Sequence, residues 1–277
     1  MKNYSDIIFD HLQENAKFKE NAESRFEKGQ HGFLKETYEI KTTTDSQRLH
    51  KPKGRYTLLT LKNILCNSQS DKYYLNKLIE SLKDYLPNIK TSDTILVIGL
   101  GNRHISADSL GVEVVKNITI TRNLIKNTPK LCAFAPSVLG LTGIESADTI
   151  AGISAKIKPN YIIMIDSLCA SDTSRLGVSF QLSDTPITPG SGINNTRKKV
   201  TNPCKTISIG VPLVVYATTF IKSTLNKLNL DNKTYKNALN IVNNVPFNEL
   251  VTLSEIEPIV KKIGRFIAQA INKVVLE

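Results

Sequence analysis

TILVIGLGNRHISADSLGVEVV, residues 94–115, decides how the chain is read. It opens on an unbroken apolar run, short and rich in β-branched residues, as in a strand covered on both faces. The glycine turn Gly99-Leu100-Gly101 follows, then a polar stretch and an amphipathic segment starting near Ser109. Strand, glycine turn and helix in that order suit either a bound dinucleotide or an acid carried to a reacting centre. A dinucleotide fingerprint needs a third glycine three residues after the second, so that the helix packs close and aims its N-terminus at a pyrophosphate. His104 stands there, and the segment from Thr119 to Arg122 offers no acid to close a second strand. A phosphate loop is missing as well, because TPGSGINNTRKK (188–199) lacks the Gly-Lys-Ser/Thr ending. What remains is Asp108, leading into the helix.

Outward from this stretch the texture repeats. The apolar runs ILVIGL, YIIMID and TISIGVPLVVY alternate with amphipathic segments such as DSLGVEVVKNI and ESADTIAGISAKI. This alternation predicts an α/β fold: a doubly wound, mostly parallel sheet with helices on both faces. LKETYEIKTTT and RYTLLTLK, with the turn Lys51-Pro52-Lys53-Gly54 between them, predict an N-terminal antiparallel edge hairpin. Residues 71–86 show helical spacing and stop before Pro87, and the chain after Val215 reads as helical. Residues 5–28 look helical but highly charged, with too few apolar positions for a core face. Residues 1–30 are therefore read as an N-terminal extension, and 31–277 as a single α/β domain.

The 277 residues are 40% hydrophobic, enough for a sizeable core. No run reaches the ~20 apolar residues of a membrane span and no secretory signal opens the chain, so a cytoplasmic protein without a membrane partner is expected. Cys66, Cys132, Cys169 and Cys204 lie far apart, which suits reduced, mostly buried thiols. Cys169 follows Asp166 closely, yet it has no local histidine to activate it as a nucleophile. The net charge of +11 favours acidic partners in general. Only Arg197-Lys198-Lys199 forms a tight basic cluster and aromatics are 6%, so nucleic acid is not expected as a specific partner.

A carboxylate at a helix start is commonly a cap, and Asp108 alone would be read so. Asp166 changes the weighing. It ends YIIMID, at the carboxyl end of a predicted central strand, where open α/β sheets bind ligands. If the two strands are neighbours, both acids reach one crevice, where a close pair shares a proton and handles water and a leaving group. The same two acids could instead hold a divalent ion, but such a site usually wants a histidine. His104 is the only one nearby, and His11, His31 and His50 lie in the N-terminal portion, so neither metal nor cofactor is expected. The polar loop 183–199 reads as a surface loop or a substrate-binding flap. With Asn102 of the glycine turn, its Asp184, Gly190, Ser191 and Gly192 make up the expected substrate-binding set.

These pieces, in order, resemble one family. KGRYTLLTL, ILVIGLGNRHISADSLG, ITRNL, APSVLGLTGIESADTI, KPNYIIMIDSL, QLSDTPITPGSGINNTRKK and TISIGVPLVV are similar to the germination proteases of spore-forming bacteria, as is VTLSEIEPIVKKIGRFIAQAIN near the end. The resemblance implies an endopeptidase that degrades small acid-soluble spore proteins inside the spore, in a fold shared with hydrogenase-maturation endopeptidases. It also implies catalytic aspartates at Asp108 and Asp166, a homo-oligomer (a tetramer), and a zymogen that loses an N-terminal propeptide, for which residues 1–30 are the candidate region. Ser167 and Cys169 stand where the family more often has alanines, Thr188 replaces a histidine, and Tyr216 replaces an aspartate. Two other readings fit the same residues: a metal-assisted peptidase of the hydrogenase-maturation type, and a non-catalytic binding or regulatory relative.

Overall fold

The computed structural model describes residues 5–14, 25–66, 70–186, 204–244 and 249–277. Its first elements are helix α1 (Ile8–Glu14), strands β1 (Arg25–Lys28) and β2 (Phe33–Ile40), short helix α2 (Thr43–Leu49), strand β3 (Gly54–Leu61) and helix α3 (Asp71–Tyr85). Then come β4 (Thr94–Gly99), α4 (Leu110–Lys116), β5 (Lys130–Phe134), α5 (Leu139–Thr142), α6 (Ser146–Ile157), β6 (Tyr161–Ala170) and β7 (Ser179–Ser183). The remainder is β8 (Lys205–Tyr216), α7 (Ala217–Leu225), α8 (Asn232–Asn244), β9 (Leu250–Thr252) and α9 (Ile256–Leu276).

The strands form one mixed sheet in the order β1-β2-β3-β7-β8-β6-β4-β5, with β9 added on β8. The stretch β8-β6-β4-β5 is parallel, built from the apolar runs that predicted it. β4 is buried throughout and β6 and β8 almost throughout, from both sides, while the edge strand β5 is only partly covered. On one face Ile95, Val97, Ile163, Ile165, Ile207 and Ile209 pack under α3, α4 and α9. On the other, Leu96, Ile98, Ile162 and Met164 meet Ala147 and Ile150 of α6. Helices on both faces follow directly, because each strand needs two apolar covers.

The N-terminal antiparallel part is larger than an edge hairpin. β3 does not lie at an edge: it pairs antiparallel with β7, and β7 with β8, so β2 and β3 continue the sheet. The turn predicted at Lys51–Gly54 holds the end of a link that also contains α2, capped by the Thr42 hydroxyl on the Asp45 N–H.

The N-terminal segment also departs from expectation. Among the described residues of the helix read over 5–28, Ile8–Glu14 is helical, whereas Arg25–Lys28 is a strand on β2. Residues 5–14 have a core face after all. Ile7, Ile8, Phe9 and Leu12 are buried with Leu168, Ala170 and Val215, against the same sheet face as α6 but farther along β6. Ile7, Ile8 and Phe9 with Leu12 make this face, and the neighbouring Asp6 and Asp10 are both partnered.

Candidate active site

The glycine turn exists for packing. A Cβ on Gly99 would lie 2.0 Å from the Gly111 carbonyl oxygen, and one on Gly111 would lie 2.4 Å from the backbone nitrogen of Leu100. The close helix-to-strand approach that the dinucleotide fingerprint assigns to its third glycine is supplied here by Gly111, inside α4. Gly101 takes φ +113°, and a Cβ there would meet the Asp108 carbonyl oxygen at 1.8 Å and its Oδ1 at 3.2 Å. The turn thus folds back onto Asp108. The Asn102 N–H donates to Asp108 Oδ2 at 2.9 Å, and Asp108 sits half-buried in the 3-10 turn Ser106–Asp108. Asn102, expected among the substrate binders, uses its backbone to hold the acid, while its side-chain oxygen accepts from the His104 N–H at 2.9 Å. Replacing Gly101 by alanine is expected to lower stability by about 1–3 kcal/mol from backbone strain alone. Urea unfolding measures it, and an unchanged midpoint would contradict the geometry.

Asp166 is reached from the other strand. β4 and β6 are parallel neighbours, and their ladder runs to Gly99 opposite Ile165, with the Leu100 N–H donating to the Ile165 carbonyl at 2.8 Å. β6 continues to Ala170, so Asp166 lies within the strand, at the point where its β4 partner turns away, rather than at its end. The Ser106–Asp108 turn lies against β6, β8 and α9. Asp166 is buried, and its Oδ1 accepts from the Ser167 N–H at 2.9 Å. The elements carrying the two acids therefore adjoin, with Asp108 beyond the carboxyl end of β4 and Asp166 inside β6 rather than at its end.

A cavity of about 390 Å³ opens over β6, β7 and β8, and neither Asp108 nor Asp166 is among the residues that line it. Gly210, opposite Asp166 in the β6–β8 register, lines it together with Leu168, Gln181, Ser183, Ser208 and Lys51. Burial holds the Lys51 ammonium below the usual lysine range, against the opposing pull of Asp6 and Asp10.

Beyond Gly99 the β4 side of β6 is taken by the N-terminal segment. The Asp6 N–H donates to the Cys169 carbonyl at 2.8 Å, and the Cys169 N–H donates to the Asp6 carboxylate at 3.0 Å. The Ser171 N–H donates to Asp10 Oδ2 at 2.8 Å, and Asp10 Oδ1 receives Arg175 Nε at 2.5 Å in an ion pair buried at both ends. Gln181 clamps the segment, its carbonyl accepting from the Ile8 N–H and its amide donating to the Asp6 carbonyl. Sequence reasoning missed Asp6, Asp10, Arg175 and Lys51. The one signal was the Ile7-Ile8-Phe9 run, hidden among charges.

Asp184 lies two strands away from β6, and its Oδ1 accepts the Arg55 N–H at 2.7 Å, fastening β7 to the start of β3. Gly190, Ser191 and Gly192 fall outside the described residues, as does Thr188. Among the described residues no group of three His, Cys, Asp or Glu side chains is placed to hold a metal ion, and no helix is long and apolar enough to cross a membrane.

Burial disfavours the Cys169 thiolate, the form a nucleophile needs. Burial, with Asp6 and Asp10 adding to it, pushes its thiol up to about 12. An unfolded thiol ionises near 9.0, so the neutral folded form favours stability fully below that pH, and the contribution is lost as pH climbs from there toward 12. Tyr56 and Tyr85, also pushed up to about 12, add to the decline above pH 10. The urea midpoint is expected to hold between pH 7 and 8.5 and to drop by pH 10.5, less so in Cys169→Ala. Equal drops in the two proteins would refute the burial of this thiol.

Comparison with known proteins gives a consistent result. A family model described as germination protease matches residues 9–230. The germination protease of Caldanaerobacter subterraneus subsp. tengcongensis is 31% identical over 277 aligned residues, covering 89% of this chain and 86% of that protein. That of Clostridium acetobutylicum is 32% identical, covering 85% and 83%. The Bacillus subtilis protein is 36% identical over 210 residues, 71% of this chain but 57% of its own length. Among solved structures, a [NiFe] hydrogenase maturation protease, HycI, from Thermococcus kodakarensis is matched with a TM-score of 0.38 at 17% identity, covering 70% of this chain and 99% of that one.

Proposed function

Because the chain belongs to the germination protease family, we propose that it is an endopeptidase that hydrolyses small acid-soluble spore proteins inside the germinating spore, with Asp108 and Asp166 as the catalytic acids. The observation that carries this reading is the packing of the Ser106–Asp108 turn against β8 and against β6, the strand that contains Asp166. One carboxylate takes a proton from water as the water oxygen bonds to the scissile carbonyl carbon. The other, protonated, gives its proton to the amide nitrogen as the carbon–nitrogen bond breaks. General acid–base catalysis of this kind contributes typically about 10²–10⁴-fold.

An extended substrate has a natural place here. The side of β6 past Gly99 has backbone groups that a peptide strand could pair with, and in this structure Asp6 pairs with them. Residues 1–30 are accordingly proposed as a propeptide region whose residues 5–14 cover the substrate edge until released, with the Asp10–Arg175 ion pair as the latch. Asn102 holds Asp108, and the loop with Gly190, Ser191 and Gly192 lines the substrate path in the proposed complex. Assembly into a homo-oligomer, a tetramer in the family, belongs to the same proposal.

The test incubates the pure chain, before and after release of its N-terminal segment, with a purified small acid-soluble spore protein. Fragments that persist under exhaustive chelation are expected. Their absence in both forms would favour a binding relative, and loss on chelation a metal-assisted peptidase.

A further inference from the structure

On the sheet face covered by α3, α4 and α9, α3 and α9 leave a groove of about 920 Å³ between them, which shares no lining residue with the cavity over β6, β7 and β8. Its rim is made of donors. Arg265, Gln269 and Lys273 recur at i, i+4 and i+8 along α9, and Lys72 and Asn76 at i, i+4 along α3. The acids among its lining and neighbours are partly spent: Asp71 pairs with Lys262 at 3.2 Å and Glu257 with Lys261 at 2.6 Å, leaving Glu255. Lys72, Arg265 and Lys273 form no ion pair among the described residues.

The geometry points to a binding groove for the sugar-phosphate backbone of nucleic acid, contacted without regard to sequence. Four residues of helix rise about 6 Å. Arg265, Gln269 and Lys273 thus stand in a row about 6 Å apart, which suits a linear polyanion with a charge at every repeat. Nucleic acid carries one phosphate per nucleotide whatever its sequence, and Arg, Lys, Asn and Gln are all side chains that donate to phosphate oxygens. The +11 net charge of the chain supplies the long-range attraction that brings a polyanion to the groove. α9 also packs against the Ser106–Asp108 turn, so a chain held by this groove carries its proposed active centre close to the nucleic acid. The groove requires nothing of the two aspartates, and binding alone reads it out.

The test measures fluorescence anisotropy of a labelled 20-base-pair duplex of arbitrary sequence with the full chain, from 25 to 200 mM salt. A Lys72→Gln/Arg265→Gln/Lys273→Gln variant is expected to bind more weakly, with a plot of log affinity against log salt shallower by about three. A Lys72→Arg/Lys273→Arg variant keeps the wild-type slope. A control with three exposed lysines neutralised elsewhere, Lys156→Gln/Lys227→Gln/Lys236→Gln, stays closer to wild type. No binding by the wild type, equal losses in the two triple variants, or displacement of the duplex by polyglutamate as readily as by unlabelled duplex would each overturn the assignment.

Discussion

Asp166→Asn is expected to remain folded and to cut a spore-protein substrate about 10²–10⁴-fold more slowly, and Asp108→Asn to do the same. Asparagine is almost isosteric with aspartate and retains a carbonyl oxygen. The Ser167 N–H at residue 166, and the Asn102 N–H at residue 108, therefore each still find an acceptor. Neither variant can take or give the proton that hydrolysis moves. Loss of rate with an unchanged urea midpoint separates chemistry from folding. Full activity in both single variants would sink the aspartate mechanism while leaving family membership intact. Because the two acids are proposed to work on one water, the double variant should be little worse than either single one.

Asp10→Ala should cost about 3–5 kcal/mol, the usual penalty for stranding one partner of a buried ion pair. Arg175 is left at 6% exposure without its carboxylate, and the Ser5 hydroxyl and Ser171 N–H lose the same acceptor. The effect should appear twice, as a lower urea midpoint and as faster proteolytic nicking of the N-terminal segment. If that segment is the latch, the variant also cleaves substrate faster before processing, although it is less stable. A stability loss without a gain in early activity would leave the ion pair as a structural staple and remove the latch.

The parallel core was legible because strands covered on both faces are apolar over continuous runs, and ILVIGL and YIIMID have no other comfortable place. Adjacency of β4 and β6 could only be posed as a condition, because β5 comes between them in the sequence and lies outside them in the sheet. The chain's short antiparallel partners were harder to read. SFQLS of β7 and LVT of β9 are too brief to show a period, and β3 looked like an edge because its β7 partner lies more than a hundred residues away in sequence. The glycines could be seen but not their purpose, since Gly111 acts through a backbone approach that no spacing rule encodes. Asp10 and Arg175 show the same limit: a pair so distant in sequence carries no local pattern.

α9 supplies Ile263, Ile267, Ile271 and Val274 to the cluster that also seats Leu78 and Leu82 of α3 and Val114 of α4. A nascent chain thus displays the oily undersides of its early helices while nearly two hundred further residues are being translated. Chaperone dependence during synthesis, and slow refolding from denaturant, are what such a delayed closure entails.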